Sequence, residues 1–560
     1  MPHPPQFAVG LVLDEVRGRR CVLLGVLLYR LLMCALLRTS FVPDEYHQGV
    51  EPAYRLVYGG GGSGSVGETW EWQEAYRIRS YVLLLPHLCL FALARFASFD
   101  APWVIRHGPR IVQSLVTVAG DWSLFLLVDR LAVAKDSKSF FSPNTKYIVL
   151  VTHLFSWSAS YCGGRTLANT TEASLACVLL LALEVAAQPH APLHQGRHRH
   201  RLVVALSTLL VMMRPTALLL SAPAFACLVW RIRSSLARPS IFGAFVADVL
   251  LAAVPTALAC LVFDSACYGA WTCTPCNFVK TNVWDNMSAA FGRQPWHWNF
   301  SQGLPTVLGL YSPVVLWALC EEAVFATSAP SDLASAASVR LIAGLSLLYP
   351  VLLHCASSHQ EIRFLLPSLP GLHVLVGSAV ERWLRLRPSL LRAGACVVVC
   401  ATHVLAACYL LSQHQAGPEA AMRLLSSRTS WQHSVHPLTV HILAPCYSFP
   451  GRSFLHIPLR RAMAVSLHAL ECSPAIKSED AALLQSSPAA FVRRMHAPLR
   501  WGRADVLITF DSIAAKEGVE QELARLGLVL RGSLPHAALR YDYDEPDVYR
   551  NVLLYSLSPL

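Results

Sequence analysis

The chain has 560 residues, of which 54% are hydrophobic and 14% are charged. A soluble domain of ordinary composition has about 25% charged residues, so this apolar excess needs lipid as well as protein to cover it, and the composition excludes a soluble globular protein. Part of the formal net charge of +11 lies in arginine-rich stretches between apolar runs, at residues 231–240 and 381–392. Such stretches are typical of cytoplasmic loops that face anionic lipid headgroups, so they indicate a lipid bilayer and no nucleic acid as the partner.

Apolar runs of membrane length recur in chain order. A helix needs about 20 residues to cross about 30 Å of hydrocarbon, and on this basis we expect about 9 to 12 spans, several of them short or re-entrant. The longer runs lie near residues 21–38, 81–97, 111–133, 241–263, 304–325, 338–353, 364–380 and 393–412, and shorter or interrupted runs lie at 147–160, 173–188 and 202–230.

The arginines next to the first run set the expected orientation. Arg17, Arg19 and Arg20 precede it and predict a cytosolic N-terminus, and the leader has no small-residue cleavage site, so we expect an uncleaved anchor. The basic stretch at 194–201 also favours the cytosol, which requires that one weak run between residues 147 and 188 does not cross. The predicted organisation is a cytosolic segment at 1–20, a multi-span domain at 21–412 with far-side loops at 39–80, 264–303 and 354–363, and a C-terminal domain at 413–560 on that same side.

The C-terminal region differs in character from the rest of the chain. Charged residues and helix breakers become more frequent, and the stretches 440–446 and 505–510 are predicted to be strands of a folded α/β tail. We interpret the 17 cysteines mostly as small buried hydrophobic residues, so we expect no zinc site. Cys446 and Cys472 are candidates for one disulfide in an oxidising compartment.

Two carboxylates, Asp44 and Glu45, follow the first apolar run. Pro43 before them disfavours helix at Val42 and helps to end the first span. One interpretation is a helix start, because acidic side chains complement the exposed N–H groups of a first turn. The other is a binding site, because the same loop contains hydroxyl, imidazole, indole and guanidinium groups. A carboxylate base, aromatic rings for sugar faces and cations for phosphate suit a sugar phosphate attached to a lipid.

Short sequence blocks along the chain carry a family resemblance. They are "TSFVPDEYHQGVEPAYRLVYG" (39–59), "TWEWQEAYRIRSY" (69–81), "GGRTLANTTEASL" (163–175), "RPTAL" (214–218), "FDSACYGAWTCTPCNFVKTN" (263–282), "QPWHWNFSQGLP" (294–305) and "HQEIRFLLPSLP" (359–370). Together they resemble motifs of the dolichyl-phosphate-mannose-dependent mannosyltransferases of glycosyltransferase superfamily C. The stretch "VHILAPCYSFPGRSFLHIPL" (440–459) resembles a sequence that is typical of one branch of this family. That branch adds the third, α-1,2-linked mannose to the glycosylphosphatidylinositol (GPI) precursor.

The resemblance implies a fold of the glycosyltransferase C (GT-C) type: a mainly α polytopic membrane protein with lumenal loops and a C-terminal lumenal α/β tail. It implies transfer of mannose, with inversion, from dolichyl-phosphate-mannose to a mannosylated GPI glycolipid in the endoplasmic reticulum membrane, with the active site facing the lumen. No cofactor and no metal are expected, since a phosphate with a second pKa of about 6 leaves readily and cationic side chains can neutralise its charge.

The resemblance also assigns roles to residues. Asp44 is the expected catalytic base, and Glu45 is the alternative base. The other roles open to Glu45 are to orient the acceptor, to hold Asp44 in place, or to share a proton with Asp44. One departure is Gln360, which stands where the family usually has lysine and so removes a cation. Candidates for the donor phosphate are Arg79, Lys280, His359 and Arg363, and further candidate substrate contacts are His47, Gln48, Trp70, Trp72, Arg165, Asn277, Asn282, Trp296, His297, Trp298 and Glu361.

Each assignment has a structural alternative. Cations near span ends often extend to the membrane interface, the tryptophans suit an interfacial aromatic belt, and a helix start explains the surroundings of Arg165. For the whole chain, the alternatives are a sister mannosyltransferase of N-glycan precursor assembly, the fourth-mannose GPI enzyme, or a polytopic transporter or lipid scaffold. A transporter would place polar groups inside helices near mid-membrane, whereas the carboxylates here lie in a loop, which favours an enzyme.

Overall fold

The protein is mainly helical, with one small sheet near its C-terminus. A computed structural model of the chain describes residues 5–59, 69–132, 142–186, 193–328, 333–386, 389–427, 438–456, 465–470, 479–497, 500–537 and 549–557. The longer helices are Pro5–Leu36, Leu85–Phe96, Pro102–Ala132, Thr145–Leu154, Ala168–Ala186, Leu193–Met213, Leu218–Leu236, Pro239–Tyr268, Ser312–Ser328, Leu333–Ala356, Leu369–Leu386, Leu390–Ser412 and Gly417–Ser427.

Shorter helical turns occupy the connections between these helices. They include Tyr46–Val50, Glu51–Tyr58, Trp70–Trp72, Tyr81–Leu84, Trp157–Cys162, Pro215–Ala217, Thr274–Phe278, Val279–Trp284, Met287–Phe291, Asn299–Gly303, Leu304–Leu308, Gly309–Tyr311 and Ile362–Ser368. Three of them, Tyr46–Val50, Val279–Trp284 and Asn299–Gly303, are π-helical. Isolated π-helical turns occur frequently at functional sites. All three fall in loops that the sequence singles out.

Seven helices within the described ranges are long and apolar enough to cross a membrane. They are Pro102–Ala132, Ala168–Ala186, Pro215–Leu236, Pro239–Tyr268, Asn299–Glu321, Ile362–Arg385 and Leu390–Ser412, with two shorter apolar helices at Tyr81–Phe96 and Leu341–Ala356. The count is lower than the expected number of spans. One reason is that the run at 147–160 forms two helices, Thr145–Leu154 and Trp157–Cys162, and each is too short to cross.

The tail contains a five-stranded mixed sheet with the order β2-β1-β3-β5-β4. Its strands are β1 (Leu438–Leu443), β2 (Val465–Ala469), β3 (Val506–Phe510), β4 (Val529–Pro535) and β5 (Asn551–Ser556). β1 pairs in parallel with β2 and β3, whereas β5 is antiparallel to β3 and β4. Helices Arg452–Leu455, Glu479–Ser486, Pro488–Met495, Asp511–Ala514 and Val519–Arg525 accompany it. The α/β tail and its two predicted strands are thus present.

The interpretation of the cysteines was incomplete. Cys273 and Cys276 form a disulfide in the Cys-Thr-Pro-Cys sequence of the loop at 264–303. Cys446 is also disulfide-bonded, while Cys472 lies outside the described residues. Two cysteines three residues apart in a loop can reach each other and pair in an oxidising compartment, so the interpretation of cysteines as isolated buried hydrophobic residues does not apply to Cys273 and Cys276.

The first loop lies between two hydrophobic cores. One core joins the membrane helices around Leu37, Leu124 and Leu372, and the other fills the tail, where it also includes Tyr46 of the first loop. In the first helix, the guanidinium of Arg30 makes a two-pronged pair with Asp121 at 2.7 and 2.9 Å. Buried charges need such pairing, so the helix that leads into the first loop has a fixed position.

Candidate active site

The helical segment that carries the acidic pair begins at Asp44. It continues without a break through Tyr46–Val50 into Glu51–Tyr58, so the helix-start interpretation describes the backbone correctly. The side chain of Asp44 is 23% exposed, and its Oδ2 lies 2.5 Å from Nη1 of Arg363. Asp44 therefore combines a helix-start position with a carboxylate that is open to one side.

Glu45 has a different environment from its neighbour. Its side chain is fully buried, with Oε2 2.6 Å from Nη1 of Arg165 and Oε1 3.5 Å from Nη2 of Arg110. Arg165 is also fully buried and donates hydrogen bonds to the carbonyl and hydroxyl oxygens of Thr39 at 2.8 and 2.7 Å. These contacts place both Glu45 and Arg165 inside the protein. Of the two acids, only Asp44 has exposed surface for a substrate to reach.

Arg363 is the centre of a chain of polar contacts. Its Nε and Nη2 each donate to Glu361, both at 2.7 Å, while Nη1 lies against Asp44. His359 joins Glu361 through Nε2 at 3.0 Å and the carbonyl oxygen of Gly292 through Nδ1 at 3.2 Å. Burial alone would raise the pKa of the Glu361 carboxyl, but Arg363 and then His359 hold that pKa down, to about 2. Glu361 is therefore an anion at neutral pH.

A third acid, Glu71, belongs to the same neighbourhood. Its Oε1 accepts hydrogen bonds from Nε2 of Gln48 at 3.1 Å and from Nε of Arg79 at 3.0 Å, and Nη2 of Arg79 also pairs with it. Burial raises the pKa of Glu71 against the opposing effect of Arg79, and the charge of Asp44 raises it further. Glu71 was not among the site residues predicted from the sequence, although it lies between Trp70 and Trp72. The sequence signal that could have identified Glu71 is an acidic residue between two tryptophans.

The charges of this cluster are nearly balanced. Three carboxylates, from Asp44, Glu71 and Glu361, face two guanidinium groups, from Arg79 and Arg363. Such a cluster can accept a proton at its exposed carboxylate and place cations beside an anionic group. Within the described ranges, no group of three or more His, Cys, Asp or Glu side chains is arranged to hold a metal ion.

Aromatic residues of the first loop pack inside the protein. Nε1 of Trp72 donates to the carbonyl oxygen of His47 at 3.2 Å, and Trp70 stacks on Phe291 with ring centroids 5.9 Å apart. Both indoles are buried. His47 is buried as well, its Nε2 lies 2.9 Å from the carbonyl oxygen of Phe449, and burial lowers the pKa of its imidazole. Sugar contacts by these three side chains would require them to move.

The loop at 264–303 is attached to the end of the first loop. Asp264 accepts hydrogen bonds from the backbone N–H of Tyr81 at 2.8 Å and from the hydroxyl of Thr274 at 2.8 Å. Asn277 donates to the carbonyl oxygen of Arg77 at 3.2 Å. Asp264 is thus a second residue that sequence reasoning did not select. The only signal was its place in the Phe-Asp-Ser motif.

Lys280 and Asn282 lie on the π-helical turn Val279–Trp284. Lys280 is exposed, and its ammonium group forms no ion pair within the described part of the chain. Asn282 is half-buried, and its backbone carbonyl oxygen accepts a hydrogen bond from the hydroxyl of Ser288 at 3.4 Å. Lys280 is therefore accessible to an anion, unlike Arg79 and Arg363.

The Pro-Trp-His-Trp motif adjoins the segment that carries Arg363. Asn299 donates to Oε1 of Gln360 at 3.2 Å, which ties the two segments together. Trp296 is 77% exposed, His297 is exposed with Nδ1 2.9 Å from the hydroxyl of Ser301, and Trp298 packs partly against the membrane core. Trp296 and His297 keep surface for a ligand, and Trp298 less so.

The structure brings three distant loops together. Two polar groups lie near each other: Asp44, His359, Glu361 and Arg363 form one, and Gln48, Glu71 and Arg79 form the other. The charges of Asp44 and Arg363 act on Glu71, so we treat the two groups as one cluster, and Glu45, His47, Trp70, Trp72 and Arg165 are buried in the protein beside it. Asn277, Lys280, Asn282, Trp296, His297 and Trp298 lie on the loop at 264–303, which contacts the cluster through Gly292.

The chain is similar to known proteins over most of its length. The model of the Alg9-like mannosyltransferase family matches residues 21–456. The chain is 29% identical over 551 residues to GPI alpha-1,2-mannosyltransferase 3 of Danio rerio, covering 95% of this chain and 89% of the relative. The human protein of that name is 27% identical over 457 residues, covering 81% and 72%.

Among solved structures, the crystal structure of ArnT from Cupriavidus metallidurans bound to undecaprenyl phosphate is similar. Its TM-score is 0.58 at 12% sequence identity, and the superposition covers 97% of this chain and 98% of that chain. The likeness extends over the whole fold, which includes both the membrane helices and the tail.

Proposed function

Because this chain belongs to the Alg9-like mannosyltransferase family, we propose that it transfers mannose in α-1,2 linkage to the second mannose of the GPI-anchor precursor. That the chain is a membrane mannosyltransferase with a GT-C fold follows from the family and the solved structures. The proposal adds dolichyl-phosphate-mannose as donor, inversion at the transferred carbon and Asp44 as base. The names of the relatives support the linkage and the GPI acceptor.

The observation that carries the mechanism is the difference between the two neighbouring acids. Asp44 is partly exposed and touches Arg363, while Glu45 is enclosed by Arg165 and Arg110. A base must come within hydrogen-bond reach of the proton that it removes, and only Asp44 has surface open to an acceptor. Asp44 is therefore the base of the proposed reaction, and Glu45 fixes the helix start beneath it.

The proposed reaction is a single displacement. The acceptor hydroxyl oxygen attacks the anomeric carbon of the donor mannose from the face opposite the phosphate, and Asp44 takes the hydroxyl proton. The bond between the anomeric carbon and the phosphate oxygen breaks, and its electron pair remains on dolichyl phosphate. One bond forms as one breaks, and because the attack comes from the face opposite the phosphate, the β-linked donor gives an α-linked product.

The donor phosphate is assigned to Lys280 and Arg363. Lys280 is exposed without an ion pair in the described ranges, whereas Arg363 is held by Asp44 and Glu361. A phosphate at Arg363 would share the guanidinium with these carboxylates, so Lys280 supplies the cation that the cluster lacks. Cations placed before the reaction stabilise charge that develops on the leaving group. Trp296 and His297, which are exposed on the same loop, are assigned to the substrate's sugar portion.

The proposed location is the endoplasmic reticulum membrane, with the cluster facing the lumen. The arginines before the first run support this orientation, since positive residues favour the cytosolic side. They lie in the helix Pro5–Leu36, and the apolar run that follows them leads to Asp44 on the proposed lumenal face.

The test is complementation. The chain is expressed in cells that lack the third-mannose step, and the accumulated GPI intermediates are analysed by mass spectrometry. Conversion of the two-mannose glycolipid to a three-mannose glycolipid is the expected result. Persistence of the two-mannose species with stable expression of the protein would overturn the acceptor assignment. Accumulation of altered N-glycan precursors instead would identify a sister enzyme.

A further inference from the structure

The helix that starts at Asp44 is bonded to the tail along one side. Its contacts are with residues 445–456, which follow β1 and which we name the tail loop. Nε2 of His47 lies 2.9 Å from the carbonyl oxygen of Phe449, and the hydroxyl of Tyr54 lies 3.0 Å from Nδ1 of His456. Tyr46 packs edge-on against Phe454 with ring centroids 5.3 Å apart.

Glu51 is the centre of this contact. Its Oε1 accepts hydrogen bonds from the backbone N–H groups of Gly451 at 3.1 Å and Ser453 at 3.2 Å, and also from the hydroxyl of Ser453. Hydrogen bonds to a charged acceptor are stronger than those between neutral groups. A single carboxylate from the first loop therefore binds the N-terminal turn of the short helix Arg452–Leu455.

Gly451 makes room for this close approach. A Cβ atom at this position would lie 2.6 to 3.0 Å from the carboxylate atoms of Glu51. Its φ is −93°, so the backbone conformation itself does not demand glycine. Any larger residue must push the Glu51 carboxylate away. The contact between Glu51 and the tail loop thus depends on a small residue at position 451.

A backbone path connects this contact to the base. The segment from Asp44 to Tyr58 is continuous helix, so a shift at Glu51 passes to Asp44 through about two turns of rigid backbone. His47 lies between them and is bonded to the tail loop as well. Misplacing a reacting group by about 1 Å can cost on the order of 100-fold in rate.

We propose that Glu51 is a positioning residue for the transfer reaction, and that the tail loop forms the outer support that holds Asp44 in place through it. This inference rests on the proposed function, because it takes Asp44 as the base. Attachment of the tail to the first loop then affects the turnover rate as well as the stability of the fold.

The test compares variants of the full-length enzyme purified in detergent. Glu51→Gln replaces the carboxylate by an amide whose NH₂ group faces N–H donors, and Gly451→Ala displaces the carboxylate. Ser453→Ala is a milder change that removes one donor. Glu517→Gln, an exposed acid in the tail, and Gly532→Ala, where the added Cβ meets only an ordinary contact at 3.8 Å with Leu554, are the matched controls.

We expect Glu51→Gln and Gly451→Ala each to lower kcat per mole of folded enzyme by at least about 10-fold, with both KM values within about 2-fold of wild type. The double variant loses no more than the worse single variant, because both changes break one contact. Both controls retain wild-type kcat. A KM increase at unchanged kcat, or wild-type kcat in folded enzyme, would overturn the inference.

The outcome is readable even where a variant does not fold. If Glu51→Gln and Gly451→Ala yield no folded protein, Ser453→Ala decides, and unchanged kcat in that variant contradicts the positioning role. The wild-type enzyme's own turnover of the two-mannose glycolipid tests the proposed function separately. The ratio of variant to wild type is measured on whichever glycolipid acceptor the wild type uses, so the two ideas fail independently.

Discussion

Arg363 and Asp44 form an ion pair in which Nη1 lies 2.5 Å from Oδ2, although one residue precedes and the other follows most of the membrane helices. The same guanidinium is shared with Glu361. An arginine between two acids fixes the orientation of both, because its planar donors bond in defined directions. The pair links the first loop to the segment after Ala356.

Replacing Asp44 by asparagine should remove turnover while the protein still folds. The amide keeps the size of the side chain but cannot accept a proton, and a positioned base contributes about 10²- to 10⁴-fold to rate. The measurement is mannose transfer per mole of purified enzyme. Glu74→Gln is the control, since Glu74 lies in the same loop with an exposed side chain that pairs only with Arg77 among the described residues. A variant with more than half of wild-type turnover would exclude Asp44 as base.

Replacing Glu45 by glutamine should destabilise the protein. The change leaves the buried Arg165 without its charged partner at 2.6 Å, and breaking a buried ion pair typically costs about 3–5 kcal/mol. We expect a lower yield of folded protein and a lower midpoint of thermal unfolding in detergent. Normal stability combined with lost turnover would instead indicate that Glu45 takes part in the chemistry.

Replacing Lys280 by alanine should weaken binding of the donor. A hydrogen bond to a charged group contributes about 1.5–3 kcal/mol, so the KM for the donor should rise by roughly 10-fold or more, with a smaller effect on the KM for the acceptor. Arg531→Ala, which removes an exposed cation on β4 of the tail, serves as the control. An unchanged KM for the donor would place the phosphate elsewhere.

The tail should lose stability as the pH falls below neutral. Burial, and then the neighbouring His496 and His468, lower the pKa of His441 to about 3 from its ordinary value of 6.5. The unfolded chain takes up a proton near pH 6.5 that the folded chain refuses until about pH 3, so stability is lost progressively between these values. The midpoint of thermal unfolding, measured from pH 7 to pH 4, should fall less steeply in His441→Phe. The exposed His198→Phe variant should match the slope of wild type.

Some structural features were visible in the sequence because they depend on local pattern. Apolar runs form the helices Pro102–Ala132 and Leu390–Ser412, and the runs of β-favouring residues form β1 and β3. The acidic pair stands out because carboxylates are costly near lipid and are therefore rare there. The run at 147–160 was recognised as weak, but its division at Phe155 and Ser156 depends on packing that composition does not report.

The roles of neighbouring residues were not visible in the same way. Asp44 and Glu45 are adjacent and chemically alike, yet one is open to solvent and the other enclosed, because successive side chains of a helix point in different directions. Glu71 joined the cluster only when the loop brought it to Arg79 and Gln48. The disulfide between Cys273 and Cys276, in contrast, could have been predicted from the spacing of the two cysteines in the sequence.

The sequence by itself determined that this is a polytopic membrane protein with an acidic first loop and an α/β tail, because hydrophobicity and strand propensity act over a few residues. The tertiary structure alone decided which acid is exposed, that Arg363 is shared between Asp44 and Glu361, and that Glu51 binds the tail loop. Those facts depend on contacts between segments hundreds of residues apart, and such contacts follow from packing and charge pairing in the folded chain.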